Sequence, residues 1–216
     1  MGFLVFYFYN LVNGVLFAGL YETSNILFWI KDIANFVVIP GVFIGYIYWR
    51  FKFVPADYGL IRGSPAYPTM EIVGASIFAA ISFGLIIIPI DYLSNSYFLK
   101  LGFEPTGFSY KNVVPDGILK FPVVFYLAIT AGLIEEIFYR GIPKQIIFES
   151  NNIKYKKLIY ILGSSIAFST IHWTYGIYLL VPTFIFGLFA AWLYLHLKNL
   201  WPLVGGHFIY DFYVFW

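Results

Sequence analysis

The chain has 216 residues, 61% of them hydrophobic and 23% aromatic, against an apolar content of roughly 45 to 50% in soluble domains. This composition excludes an ordinary soluble domain and reads as an integral membrane protein. A net charge of +2 on 11% charged residues leaves no basic stripe for nucleic acid, and the absence of cysteine excludes disulfides and thiolate metal sites.

Crossing the hydrocarbon core takes about 20 apolar residues. Seven stretches meet or approach that length: 3–20, 33–49, 72–93, 120–139, 158–173, 177–195 and 200–216. The first begins MGFLVF, without the basic region and small-x-small cleavage site of a signal peptide and without the Ser/Thr of a myristoylation signal, so a retained first span is expected. Several stretches are short, which predicts tilted or broken helices, and an eighth short element fits between 51 and 70. Residues 94–121 form the longest non-spanning stretch and are expected to cap the outer face. Gly74, Ala79, Gly84, Gly187 and Ala191 are small enough to let helices approach closely. The expected fold is an all-α polytopic membrane bundle of seven to eight transmembrane helices, forming a single domain over 1–216.

The Lys and Arg residues set the orientation, because cytoplasmic loops carry the excess. With a cytoplasmic N-terminus the inner loops hold Arg50, Lys52, Arg62, Arg140, Lys144, Lys154, Lys156, Lys157 and Lys198. The outer loops then hold Lys31, Lys100, Lys111 and Lys120. Nine against four favours that orientation. The Ile, Tyr, Lys and Asn content hints at an A/T-rich prokaryotic source.

Ionisable residues inside spans generally face the bundle interior or a wet cavity, where they pair or work. They are few here: Glu135 and Glu136 in the fourth stretch, His172 ending the fifth, His196 ending the sixth, and His207 with Asp211 in the seventh. Glu136 and Arg140 lie one helical turn apart, as an ion pair requires, and Glu135 points about 100° away toward another partner. A buried structural salt bridge is the simpler account of Glu136 with Arg140. The same cannot be said of Glu135, since a second carboxylate beside a paired one adds desolvation cost with no structural return. His196, next to Lys198 at a span end, reads as structural. His207 and Asp211 share a face, as do Phe168 and His172.

Together these residues supply what peptide-bond hydrolysis needs. A buried carboxylate accepts a proton from water, an imidazole orients that water, and a second imidazole stabilises the oxyanion, or else the three side chains hold a divalent metal. The chain has neither a G-x-S-x-G elbow nor an H-E-x-x-H helix.

In order along the chain, EEIFYR (Glu135 to Arg140), FSTIH (Phe168 to His172) and HFIYD (His207 to Asp211) fit E-E-x-x-x-R, F-x-x-x-H and H-x-x-x-N/D. This series resembles the CAAX protease and bacteriocin-processing family of intramembrane proteases, also called the Abi family. The resemblance implies about eight spanning elements, motif-bearing helices over 120–216 and a catalytic cavity within the bilayer that opens to the cytoplasm. It further implies Glu135 as the base assisted by His172, Glu136 and Arg140 as a supporting pair, and His207 with Asp211 on the oxyanion or metal side. The substrate it implies is a peptide or a lipidated C-terminus in a membrane lipid environment. Prenyl-protein endopeptidases of the family usually have asparagine where Asp211 stands, and an ionised aspartate cannot donate a hydrogen bond, so the donor role passes to His207. Glu135, His172 and His207 are a reasonable zinc set, yet nothing in the sequence supplies partners behind both histidines, which favours a metal-free site. A bacteriocin-immunity protein or scaffold of the same fold is the alternative. A proton-coupled transporter is a third reading, but the chain lacks the repeated halves that it predicts.

Overall fold

The computed structural model describes residues 2–17, 24–54, 56–57, 59–60, 69–104, 110 and 113–216. Among them all regular structure is helical, with no strand. Seven long helical runs follow one another: α1 (Gly2–Phe17), α2 (Asn25–Phe51), α3 (Thr69–Lys100), α4 (Gly117–Glu149), α5 (Lys156–Thr170), α6 (Ile177–Leu197) and α7 (Trp201–Phe215).

Four segments are long and apolar enough to cross a membrane: Asn25–Phe51, Ser76–Lys100, Gly117–Glu149 and Ile177–Leu197. Against the expected seven to eight, α1, α5 and α7 have 16, 15 and 15 residues. At 1.5 Å per residue such helices fall short of a core about 30 Å thick. Large apolar side chains such as Ile26, Val42, Trp49, Phe78 and Tyr92 are exposed around the bundle, a surface that only lipid or another protein would cover.

Helix bounds differ from expectation where charge interrupts an apolar run. The helix α2 starts at Asn25, where Ser24 Oγ accepts the Ile26 N–H at 3.2 Å, and so takes in Lys31 and Asp32, which were expected in a loop. It tolerates them because they turn inward: Asp32 is buried. For the same reason α4 runs on to Glu149, which places Arg140 well inside the helix rather than at its end. The run of α3 to Lys100 claims the first part of the stretch expected as an outer cap. Residues 52–54, 56–57 and 59–60 form turns and irregular backbone, and 61–68, where an eighth element was expected, lie outside the described residues.

The central helix is α7, packed against α3 on one side and α4 on the other, while α5 pairs with α6. Missing side chains make the closest of these contacts. A Cβ on Gly206 would lie 3.0 Å from the Ala80 carbonyl oxygen and 2.9 Å from Phe83 Cβ. One on Gly84 would lie 2.8 Å from Ile209 Cβ. Of the small residues singled out in the sequence, Gly84 and Gly187 thus sit at close approaches, whereas Gly74 has nothing near it. With no hydrophobic drive between helices in lipid, this contact is what holds α7, and with it His207 and Asp211, in register.

Candidate active site

The EEIFYRG stretch is locally irregular: Ile137–Gly141 form a π-turn inside α4. Such a turn widens the helix and displaces its own hydrogen bonds, and it occurs most often at functional sites. Here α5 satisfies the displaced carbonyls. Ser164 Oγ donates to the Tyr139 carbonyl and Tyr160 OH to that of Arg140 at 3.4 Å. The helix that carries Glu135 is thereby fastened to α5, which leads into the turn that holds His172.

Arg140 and Glu136 are both fully buried, with Nη1 3.4 Å from Oε1. The guanidinium lies 4.0 Å from the centre of the Phe168 ring and 5.5 Å from that of Phe186, so two aromatic faces take the place of water around the cation. The pairing expected from the i, i+4 spacing is therefore present. Spacing within α4 gave no sign of the second partner of Glu136: its Oε1 also accepts from His207 Nδ1 at 2.9 Å. Glu136 is thus held from one side by Arg140 and itself orients the imidazole of α7.

With Nδ1–H committed to Glu136, His207 turns Nε2 toward Glu135 Oε2 at 3.7 Å and Asp211 Oδ2 at 3.6 Å. A proton has to lie between this nitrogen and the two carboxylates, on one side or the other, because lone pairs alone would repel. His172 is fixed differently. Its Nδ1 lies 2.8 Å from the Phe168 carbonyl oxygen, which can only accept, so Nδ1 carries hydrogen and Nε2 presents a lone pair. The aromatic expected over this histidine is Phe168, with ring centres 4.9 Å apart. Beyond it the chain turns through Trp173–Tyr175 to Gly176, whose φ of +68° suits glycine.

Glu135, His172, His207 and Asp211 line one cavity of about 510 Å³. Glu136 and Arg140 are sealed behind it. His196 lies elsewhere, bonded to the Trp192 carbonyl on an exposed turn, as its structural reading required.

The possible zinc set fares differently. Among the described residues no three His, Asp or Glu side chains are grouped as holding an ion requires. The Nδ1 atom of each histidine is bonded, to the Phe168 carbonyl and to Glu136, so both imidazoles have the partner behind them that the sequence alone did not supply, and each keeps Nε2 for the cavity.

Sequence reasoning missed the wall contributed by α2. Lys31, Asp32 and Asn35 line the same cavity, Asp32 beside the Tyr126 hydroxyl and Asn35 accepting from Tyr9 OH. The Ser24 cap and the i, i+4 spacing of Lys31 and Asn35 were the available signal, hidden by reading the two charges as a loop.

The cavity lining also includes buried Phe168 and Phe186, Thr174 in the turn that follows α5, and exposed Trp216. If all seven helical runs alternated across the membrane from a cytoplasmic N-terminus, the turn at Thr174 would lie outside.

Residues 117–213 match the family described as type II CAAX prenyl endopeptidase Rce1-like. The matched segment runs from α4 into α7 and contains all three motifs. No curated protein and no solved structure matches the chain.

Proposed function

We propose that this chain, whose residues 117–213 match the Rce1-like family, is a CAAX-type intramembrane endopeptidase that cleaves peptides by carboxylate-activated water in the cavity described above. The observation that carries the reading is the convergence of Glu135, His172, His207 and Asp211, from three separate regions of sequence, on one void.

In this reading water sits between the Glu135 carboxylate and the bare Nε2 of His172. Glu135 takes its proton as the oxygen attacks the substrate carbonyl. His207 Nε2–H, held in direction by Glu136, donates to the oxygen that gains negative charge, and Asp211 supports that imidazole. The proton on Glu135 then passes to the departing amine. Every step uses side chains of the chain itself.

The test is cleavage by the purified protein in liposomes of a membrane-delivered peptide with a free C-terminus. Release of a C-terminal fragment, unchanged by a chelator, is expected. An intact peptide in the presence of folded protein would overturn the proposal, and loss of cleavage on chelation would overturn its metal-free form.

Access is tested separately. The chain has no cysteine, so Thr174→Cys on the cavity lining and Lys156→Cys at the other end of α5 are clean single labels. The charge bias predicts that an impermeant thiol reagent outside the cell labels Thr174→Cys and spares Lys156→Cys. The reverse pattern would place Thr174 in the cytoplasm and overturn that orientation.

A further inference from the structure

The first helix lies outside the segment matched to the family, yet it touches both halves of the candidate site. On one side buried Phe6 stacks on Phe138, with ring centres 3.7 Å apart. Phe138 belongs to the π-turn that directly follows Glu135 and Glu136. On the other side α1 reaches the backbone around His172. Tyr7 OH and Thr170 Oγ1 are 2.8 Å apart, and Trp173 Nε1–H donates to the Leu11 carbonyl at 3.0 Å.

The direction of the first bond follows from counting hydrogens. Thr170 has one hydroxyl hydrogen, and its Oγ1 lies 2.8 Å from the Ile166 carbonyl oxygen and 3.1 Å from that of Ala167. That hydrogen is spent within α5, so Tyr7 donates to Thr170. Tyr7 and Leu11 are one turn apart on α1, about 6 Å along its axis. Their partners stand on either side of His172, Thr170 two residues before it and Trp173 directly after. His172 itself lies beyond the last residue of α5, in the turn to Trp173–Tyr175. There the regular helix ladder has ended, and the two bonds to α1 hold the flanks of the residue. Between helices in lipid, where apolar contact gives little drive, such bonds fix position.

We propose that α1 is a brace for the reaction, setting His172 Nε2 relative to the Glu135 carboxylate, with Tyr7 and Trp173 as positioning residues that act through His172. The inference rests on the protease reading for what His172 does, but the placement of the imidazole is measured apart from cleavage. Small displacements matter here, because a shift of about 1 Å in a reacting group can cost on the order of 10²-fold in rate. Tyr7→Phe removes one hydroxyl and keeps the ring, and Trp173→Phe breaks the other rung.

The full-length chain and its variants are compared by single-turnover cleavage in liposomes, and by NMR of isotope-labelled histidine in lipid nanodiscs, with the His172 signals identified by their loss in His172→Ala. Tyr7→Phe is expected to slow cleavage about three- to tenfold with half-saturation unchanged. It should also shift the ring signals of His172 while those of exposed His196 stay in place, and Trp173→Phe should do the same. In a His172→Ala background neither substitution should slow the residual reaction further, since the brace has lost the group through which it acts. Unmoved His172 signals in both variants, or rate losses that multiply with that of His172→Ala, would overturn the proposal. A lower unfolding midpoint with rates and His172 signals unchanged would make α1 a structural support alone and overturn it equally. Should one variant not fold, the other rung carries both measurements. Absence of cleavage by the wild-type chain would fault the protease reading, and the NMR comparison then decides by itself whether α1 positions the imidazole.

Discussion

Glu135→Gln is expected to lower the single-turnover cleavage rate by about 10³-fold while leaving folding and peptide binding intact, because general-base catalysis contributes on the order of 10² to 10⁴. Glutamine keeps the shape of the side chain and its place on the cavity wall but cannot take a proton from water. A His172→Ala variant should fall nearly as far, since the bare Nε2 is the other group positioned to hold that water. Its backbone turn depends on Gly176 rather than on the imidazole, so the folded yield should hold. Near-normal cleavage by either variant would remove that residue from the reaction.

The second large effect is on stability. Arg140→Ala is expected to cost about 3 to 5 kcal/mol, because it leaves the Glu136 carboxylate buried without its cation. The aromatic walls of Phe168 and Phe186 would also face a void where the guanidinium lay. Thermal unfolding in detergent should show a large drop in midpoint and yield. Arg140→Met combined with Glu136→Gln, which removes both charges and keeps most of the volume, should recover much of the loss without restoring cleavage, since Glu136 also orients His207. Wild-type stability in Arg140→Ala would mean that the pair at 3.4 Å contributes little.

Much of this site was legible in the sequence because helices convert spacing into direction. The offset of 100° between Glu135 and Glu136 separated a lining carboxylate from a sealed one. The four-residue spacings anticipated Glu136 with Arg140, Phe168 with His172 and His207 with Asp211. Contacts between helices were not legible, for no periodicity in α4 indicates that Glu136 meets His207, 71 residues away. The inward face of α2 was lost for a related reason. Averaging hydropathy treats Lys31 and Asp32 as the end of a span, whereas a helix can carry charge through its middle when that face looks into a polar void. The π-turn at Ile137–Gly141 was equally hidden, because it depends on hydroxyls supplied by α5.

Span number and orientation suffered from short helices. The apolar stretches at α1, α5 and α7 are real helices, but their lengths leave open how each meets the lipid. Even so, the order of the elements fixes which helix ends lie together. Charge bias and cavity direction were separate expectations in the sequence, and the cysteine labels test both.

The most direct test of the central claim is a double-mutant cycle in single-turnover cleavage with Glu135→Gln, His172→Ala and the two combined. Groups that act on one water lose their effect together, so the double variant should be scarcely slower than the worse single one. Rate losses that multiply independently would contradict the shared site.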